Sequence, residues 1–394
     1  MIDFSIPPDV AEMQKQLSEF MEQYVYPNEA NADEHAGLDE AIEKDLQNKV
    51  KSRGWWAPHM SKEEGGMGTS VVNLGLMNEI IGRSPIGPRI FGCAAPDAGN
   101  AELLHIAGTA EQKEKYLKPL VNGDIRSCFA MTEPEVAGSD PTGLLTSAVR
   151  DGDDWVINGH KWFITGAIGS QFAITMAVTN PAAKPHQRAS MIIVPTNTPG
   201  FNIIRDIDVM GSGGLGGHCE IRFQDCRVPL TNLLGKEGEG FHLAQKRLGP
   251  GRIQHCMRWL GIAQRSFELM CKRALKRISF GEPLANKQSV QNWIADSAAE
   301  LNAARLMTLH AAWKMDQGDE ARVEVSLIKF YGAKVLHDVI DRAIQVHGAL
   351  GFSKDTPLEA FYRGARAARI YDGVDEVHRM VVARKILSDF KEDK

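Results

Sequence analysis

Two carboxylates flank a glycine near the end of the chain, in the segment from Arg369 to Arg379. Asp372 stands directly before Gly373, between two stretches with helical spacing. A carboxylate on such a turn can act as a general base, because Gly373 lets the backbone approach a ligand closely. The alternative is a helix N-cap, in which Asp372 or Asp375 accepts amide hydrogen bonds. For Asp375 the capping role can hold even in an enzyme.

Two further segments carry groups suited to a flat, polar-edged ligand. The segment from Cys128 to Asp140 passes from a strand-like run into a Gly/Pro/Ser loop that offers N–H groups and hydroxyls. The second segment contributes Trp162, Phe163 and Thr165, which could line a ring system. Taken alone, each is more typical of a surface turn or of strand packing. Together they favour a ligand site.

Other motif matches have the wrong context. Gly211 to Gly216 fits a dinucleotide-binding glycine pattern, but an alternating strand at 219–224 follows where a helix is required, which favours a mobile loop. Six scattered cysteines indicate neither disulfides nor a thiolate site. No metal is predicted, because the histidines lack ligand spacing; the ones interpreted as core or surface residues are His255, His310, His337 and His378.

Composition excludes several classes of protein. The chain has 394 residues, 43% of them hydrophobic and 24% charged, which is ordinary for a globular protein of two or three domains. A net charge of -5 provides no basic field for nucleic acid. No apolar run approaches the 18 or so residues of a membrane span. The first ten residues lack a signal-peptide pattern, so a cytoplasmic location is expected.

The elements that must position these groups change type along the chain. Helical spacing at 8–26, 38–54 and 71–81 gives way near Ser127 to strand-like runs. Asn158-Gly159 is a tight-turn signal and predicts a hairpin over 155–165. After Gly240 helical spacing returns, and one such helix is predicted to end at Gly348. The order predicts an α+β protein in three segments. The strand-like runs are 145–150, 155–157, 161–165, 172–178, 190–194, 201–205 and 219–228.

These motifs, in this order, resemble the acyl-CoA dehydrogenase family over essentially the whole chain. The resemblance implies an N-terminal α-helical domain (1–127), a central β-barrel (128–240) and a C-terminal four-helix bundle (241–394), with FAD between barrel and bundle. The segments that carry it are Thr132-Glu-Pro to Ser139-Asp140, Lys161 to Thr165, Arg277-Ile-Ser-Phe280-Gly281, Gln345 to Phe352, and Tyr371-Asp372-Gly373.

The resemblance also implies which residues bind. Substrate contacts would come from Ser139, Arg252 and Gly373. The flavin and its ribityl chain would be lined by Phe129, Met131, Thr132, Ser139, Trp162, Phe163 and Thr165. A second cofactor-binding set, in part reaching FAD in a neighbouring subunit and so requiring a homodimer or homotetramer, comprises Arg277, Phe280, Gln288, Gln345, His347, Gly348 to Gly351, Val374 and Glu376.

The base position departs from most of the family. Relatives usually carry Glu directly before the glycine of the terminal turn, or at the position of Gly251; here the first position is Asp372 and the second has no carboxylate. The sequence around both positions resembles the subgroup containing acyl-CoA dehydrogenase family members ten and eleven, in which Asp is the base. Asp372 is therefore assigned as the base. The loop at 133–138 is one residue longer than the commonest version.

The function implied is FAD-dependent oxidation of an acyl-CoA to a trans-2-enoyl-CoA in fatty-acid β-oxidation or related lipid metabolism. Electrons would pass to an electron-transferring flavoprotein. Burial is expected to raise the pKa of Asp372 and so make it a better base near neutral pH. Two alternatives remain open: a flavin oxidase of the same fold, similar to nitroalkane oxidase, and a non-catalytic acyl-CoA-binding protein. The acyl chain is not determined.

Overall fold

The first part of the fold is a set of short helices. The structure is a computed structural model that describes residues 5–33, 37–211 and 214–392. Helix α3 occupies Val71–Ile81 as predicted, and Ser70 caps it by accepting a hydrogen bond from the N–H of Asn73. The helices here are α1 (Pro8–Phe20), α2 (Glu40–Lys51), α3 (Val71–Ile81), α4 (Gly87–Ile90), α5 (Asp97–Ala107), α6 (Ala110–Gln112) and α7 (Lys118–Asn122), with π-helical turns at Met21–Val25 and Lys113–Leu117.

The middle part is one mixed sheet of eight strands, in the order β6-β7-β3-β2-β4-β5-β8 with β1 paired to β4. The β1–β4 and β2–β4 pairs are parallel and the others are antiparallel. The predicted central β-domain is thus confirmed. Its strands are β1 (Ser127–Ala130), β2 (Ser147–Asp151), β3 (Asp154–Thr165), β4 (Phe172–Val178), β5 (Ala189–Pro195), β6 (Phe201–Asp206), β7 (His218–Pro229) and β8 (Leu233–Leu234).

The hairpin predicted over 155–165 is wrong. Asn158 and Gly159 lie inside the continuous strand β3, at a register shift opposite β7. The Asn158 side chain accepts from the N–H of Asp225, and a Cβ at Gly159 would lie 2.3 Å from the hydroxyl of Thr146. The pair therefore marks a bulge with close packing rather than a turn. The actual β2–β3 turn contains Gly152 at φ +62°.

The glycine-rich segment before β7 lies only partly within the described residues. Gly211 and Gly214 to Gly216 are described, whereas positions 212 and 213 lie outside the described part of the chain. Strand β7 follows at His218, so no helix begins after this segment. The prediction that it is an inter-strand loop rather than a dinucleotide site agrees with that order.

Long helices form the last part of the molecule. Helices α8, α9 and α10 pack on one another and α13 packs on α10. Helix α10 ends at Gly348, as predicted, where φ is +64°. None of the described helices is both long and apolar enough to cross a membrane. The helices are α8 (Gly240–Lys276), α9 (Gln288–Asp316), α10 (Arg322–His347), α11 (Ala349–Phe352), α12 (Leu358–Ala365) and α13 (Asp375–Glu392), with a small hairpin of β9 (Ile278–Ser279) and β10 (Glu282–Pro283).

Apolar cores join these parts. One core combines the N-terminal helices with the sheet face that carries Phe172, Ile174 and Met176. A second lies inside the C-terminal helices around Met257 and Leu336. Ion pairs with partly buried side chains also connect the N-terminal helical region to α8 and α9: Arg83–Glu268, Arg265–Glu29 and Arg305–Glu79.

A fully buried ion pair anchors the loop after β1. Lys161 Nζ donates to Glu133 Oε1 at 2.8 Å and to the carbonyl of Met131 at 2.8 Å, and both side chains have no exposed surface. Glu133 also accepts from the N–H groups of Leu145 and Thr146, which lie at the far end of the loop. The pair thus closes the loop that contains the predicted ligand-binding hydroxyls.

Removing one partner should leave the other buried without compensation. We expect Glu133→Gln to lower the free energy of unfolding by about 3–5 kcal/mol, because the Lys161 ammonium loses its counter-ion in a dry site. Chemical denaturation would measure this loss. The matched control is Glu237→Gln, since Glu237 pairs with Arg150 where both side chains are substantially exposed. Equal stability of the two variants would contradict the structural role of the pair.

Candidate active site

The turn that carries Asp372 has an unusual backbone. It connects a 3₁₀ segment at Arg366–Arg369 with α13, which begins at Asp375. Asp372 lies in the left-handed region at φ +54° and Gly373 at φ +100°. A Cβ at position 373 would lie 2.7 Å from Nε2 of His378, so only glycine fits there without displacement. A positive φ at aspartate is uncommon and is often found where function requires it.

Side chains from three helices fix this backbone. Arg252 on α8 and His378 on α13 both lie within hydrogen-bonding distance of the Asp372 carbonyl, through Nε at 3.1 Å and Nε2 at 3.2 Å. The buried Lys329 on α10 donates to the carbonyls of Gly373 (3.1 Å) and Ala368 (2.7 Å). Arg252, predicted as a substrate contact, thus hydrogen-bonds the main chain of Asp372.

The Asp372 carboxylate contacts a residue that sequence reasoning missed. His255 Nε2 lies 3.1 Å from Asp372 Oδ2, and both side chains are mostly buried. His255 was interpreted as an ordinary core or surface histidine. It stands on α8 one turn after Arg252, so its position on the same helical face was the available signal.

The expectation that burial raises the pKa of Asp372 is wrong for this structure. Burial does oppose ionisation, but the hydrogen bond from His255 and the positive charges of Arg247 and Arg252 outweigh it and hold the pKa well below its usual range. Burial also lowers the pKa of His255, so the imidazole is a neutral donor near pH 7. Asp372 is accordingly ionised at neutral pH.

Asp375 has a structural role, although not as a cap. It is the first residue of α13 and is almost fully buried. Arg369 Nε donates to its Oδ2 at 2.7 Å, so the carboxylate joins the two sides of the turn. Val374, which precedes it, accepts the first N–H bonds of the helix, and the predicted contact Glu376 is exposed on the same turn.

Strands β1 and β3 bring the predicted flavin-lining residues together. The N–H of Trp162 donates to the carbonyl of Thr132 at 3.1 Å, and the Thr132 hydroxyl donates to the carbonyl of Trp162 at 2.7 Å. Trp162 and Phe163 lie in a register shift of β3, with their rings 4.9 Å apart and Phe163 46% exposed at φ +50°. Phe129 and Met131 lie in and just after β1, Thr165 ends β3 within hydrogen-bonding distance of His218, and Ser139 is exposed in the loop.

The predicted flavin-lining rings of Phe129, Trp162 and Phe163 form an aromatic wall, and Arg247 links this wall to Asp372 through Phe129. Its guanidinium lies over the Phe129 ring, 4.4 Å from the centroid, and its charge also acts on the Asp372 carboxylate. Arg247 also interacts electrostatically with Glu102 on α5, which accepts from Gln254 at 3.3 Å. Sequence reasoning missed Arg247, which lies two helical turns before His255 on α8. The site is thus a carboxylate and an aromatic wall bridged by a partly buried cation.

Most of the second predicted cofactor-binding set lies at the opposite end of α8, whereas Val374 and Glu376 of that set lie beside the Asp372 turn. Arg277 directly follows that helix, 25 residues after Arg252, which corresponds to about 38 Å along a straight helix. Phe280 is 97% exposed in the β9–β10 hairpin, and Gln288 begins α9. Gln345 and His347 end α10 on the same side, because Ala343 packs with Met270 and Ala274, and Gly348 follows them. One subunit therefore does not bring the two sets together.

The order of an N-terminal helical part, a central sheet and a C-terminal helical part defines the class of protein to which this fold belongs. Three family models match in succession: acyl-CoA dehydrogenase N-terminal domain (residues 7–124), middle domain (128–226) and C-terminal domain (238–387). The chain belongs to the acyl-CoA dehydrogenase family.

Relatives agree over most of the chain. The probable acyl-CoA dehydrogenase FadE2 of Mycobacterium tuberculosis is 47% identical, covering 98% of this chain and 97% of that protein. Acyl-CoA dehydrogenase family member 10 of Mus musculus is 42% identical and member 11 of Homo sapiens 40%; they cover 98% and 95% of this chain, which spans 37% and 50% of their lengths. The predicted subgroup is confirmed. A solved acyl-CoA dehydrogenase family structure from Mycobacterium abscessus has TM-score 0.93 and 41% identity, with 98% and 100% coverage of the two chains.

The partly buried Glu102 should make stability depend on pH. Burial raises its pKa to about 7 from an ordinary value of 4.5, despite the opposing charge of Arg247 and the bond from Gln254. The folded state binds the extra proton, so its stability is full below pH 4.5 and decreases as pH rises through 7, by about 3 kcal/mol in all. We expect Glu102→Gln to match the native protein in thermal unfolding near pH 5 and to exceed it near pH 8.5.

The comparison for this prediction is Glu111→Gln, which removes an exposed carboxylate from the neighbouring helix α6. That variant should follow the pH profile of the native protein. A Glu102→Gln variant with the same profile would show that Glu102 is not protonated in the folded state.

Proposed function

We propose that the protein is an FAD-dependent acyl-CoA dehydrogenase that converts an acyl-CoA thioester to a trans-2-enoyl-CoA, with Asp372 as the base that removes the α-proton. The observation that supports this most strongly is the ionised Asp372 carboxylate joined through Arg247 to the aromatic wall of Phe129. The base must lie on the opposite side of the substrate from the cofactor ring. In the proposed arrangement, Asp372 would be on one side and the aromatic wall, with the cofactor ring, on the other.

The residues of the wall fit the isoalloxazine ring of FAD. Trp162 and Phe163 present an aromatic surface, nearly half of which at Phe163 the protein leaves uncovered. Thr132 and Thr165 place hydroxyls at its border. A flat ring with polar edges requires this combination. When bound, FAD supplies at N5 the acceptor for the hydride from the β-carbon.

The chain itself would prepare and remove the α-proton. In the described part of the chain the N–H of Asp372 donates to no protein group, so it is open to the thioester carbonyl. A preorganised donor of this kind is worth about 3 kcal/mol in the transition state. The hydrogen bond from this N–H to the thioester carbonyl would make the α-hydrogen more acidic. This effect would compensate for the modest basicity of a carboxylate with a low pKa. Transfer of one proton and one hydride leaves the enoyl thioester.

Of the two positions at which family members carry the base, this chain has a carboxylate only at position 372. Position 251 is a glycine, with nothing within 4 Å of a Cβ placed there, so the alternative position has space but no base. Aspartate is one methylene shorter than glutamate, and the left-handed turn at Asp372 sets how far the carboxylate reaches toward the substrate. We infer that this geometry influences which acyl chains are accepted.

Replacing the carboxylate by its amide tests the base. We expect Asp372→Asn to retain the yellow FAD spectrum but to lose anaerobic flavin bleaching by acyl-CoA by about two to four orders of magnitude in rate, since the amide accepts no proton. Stopped-flow absorbance across acyl-CoAs of different length measures the rate. Asp355→Asn, an exposed aspartate, is the control and should react as the native protein. A fully active Asp372→Asn variant would rule out the assignment.

FAD binding is proposed to require at least a homodimer, with a homotetramer as the larger possibility. The set around Arg277 and Phe280 lies a helix length away from the wall of its own subunit, so it would reach FAD in a neighbour. Phe280 leaves nearly its whole side chain uncovered within one chain, as interface residues do.

Substitution of this aromatic residue tests the shared site. We expect Phe280→Ser to lose most of its FAD on gel filtration and to shift toward the monomer, because the exposed ring no longer packs on the neighbour. Absorbance at the flavin band and light scattering give both quantities. Ile106→Ser, which alters an exposed apolar residue on α5, should change neither. Monomeric native protein with full FAD content would contradict the proposal.

The reduced enzyme is proposed to pass its electrons to an electron-transferring flavoprotein, in fatty-acid or related acyl-CoA catabolism. This proposal rests on family membership alone. Stoichiometric hydrogen peroxide release during aerobic turnover would instead identify a flavin oxidase.

A further inference from the structure

The proposed function leaves one contact of the base unexplained. Asp372 could accept a proton with a freely rotating carboxylate, yet one of its oxygens is bound to a side chain of α8. In the described part of the chain, His255 is the side chain that hydrogen-bonds this carboxylate, so Oδ1 has no protein donor. The two oxygens are therefore not equivalent.

His255 is itself rigidly placed. Its ring stacks on Trp259 at 6.2 Å with an interplanar angle of 25°, and it contacts the Tyr371 ring at 5.1 Å. Trp259 Nε1 donates to the Tyr371 hydroxyl at 2.8 Å, and the Lys329 ammonium lies over both rings. An imidazole packed in this way has a fixed plane, so its Nε2 points along one direction.

Backbone and side chain of Asp372 are thus fixed by different residues. Arg252 and His378 bind its carbonyl and Lys329 binds the next one, which sets the turn but not the rotation of the carboxylate about its side-chain bonds. The contact with His255 removes that remaining freedom. Positioning of a reacting group within a fraction of an ångström can change a rate by about 100-fold.

We propose that His255 is a positioning residue for the base: it holds Oδ2 of Asp372 so that Oδ1 faces the α-carbon of the substrate. This proposal rests on the proposed function of Asp372. It extends that function to a residue that makes no contact with the reacting atoms.

The contact also influences the charge of the base. A donor to the ionised carboxylate favours that form, so loss of His255 should raise the pKa of Asp372. Other groups around the pair remain in the variant and keep part of the effect. The titratable and charged groups that act on Asp372, His255 or the adjoining turn are Arg247, Arg252, Arg258, Lys329, Tyr371, Asp375 and His378, and Glu102 acts on Arg247.

Paired substitutions in the FAD-loaded protein test the proposal. We expect His255→Leu to slow flavin reduction by roughly 10- to 100-fold while the acyl-CoA dissociation constant changes less than about threefold, and to move the pH profile of the rate to higher pH. His255→Gln retains an N–H donor and should restore most of the rate at neutral pH. His310→Leu, at an exposed histidine on α9, should match the native protein in all three measurements.

Two results would overturn the proposal. One is a His255→Leu variant with the native limiting rate and pH profile. The other is a loss of activity that His255→Gln does not restore, together with weaker FAD binding, which would indicate a merely structural histidine.

A second measurement separates this proposal from the proposed function. Infrared titration of the protonated carboxyl band, assigned by its disappearance in Asp372→Asn, follows Asp372 without turnover. We expect His255→Leu to raise the midpoint of that band. If none of the acyl-CoAs tested reduces the flavin of the native protein, the proposed function fails. An unshifted carboxyl band in His255→Leu refutes the role of His255 whatever the enzyme activity.

Discussion

The left-handed turn at Asp372 is the constraint on which the candidate site depends. A non-glycine residue at φ +54° persists only where the surroundings compensate for its strain, and here Arg252, Lys329 and His378 bind consecutive carbonyls from three helices. This strained conformation leaves the N–H group and the carboxylate of Asp372 available to a ligand. The conformation of the turn therefore depends on the helical bundle, because the helices supply the side-chain donors to its carbonyl groups.

The same donors create an electrostatic conflict. Arg247 and Arg252 lie close enough to Asp372 to keep it ionised, which a proton acceptor requires, but they also make it a weaker base. Under the proposed function the substrate would resolve this conflict, since a hydrogen-bonded thioester carbonyl makes the α-hydrogen more acidic. Arg247 has other neighbours besides Asp372: its guanidinium lies over the Phe129 ring and it interacts electrostatically with Glu102, whose pKa is raised to about 7.

Much of the architecture was predictable, and what was not has physical reasons. Helical spacing located α3 and the end of α10, and runs of strand-forming residues located β4 to β7. Of these strands, β7 alternates buried and exposed residues, whereas β4 and β5 are buried on both faces. Asn158-Gly159 misled because tertiary packing against Thr146 and Asp225 overrode a local turn preference. The motifs predicted Asp372, Trp162 and Phe163 as site residues. The contacts of His255 and Arg247 with this region were not predicted, since a histidine or arginine inside a helix shows no sign of what the fold places opposite it. The pKa of Asp372 was predicted in the wrong direction for the same reason, because the sequence does not show that His255 and Arg247 lie beside it.

The length of α8 has a mechanical consequence. Between Arg252, which touches the base turn, and Arg277 at its far end, the helix is an uninterrupted arm of about 38 Å, and a tilt of a few degrees at one end displaces the other by about 2 Å. Under the proposed function, the Arg252 end of α8 would adjoin the acyl chain and the Arg277 end would contact FAD in a neighbouring subunit. A tilt of α8 that makes room for a larger acyl chain would therefore also change the position of the residues that bind the cofactor.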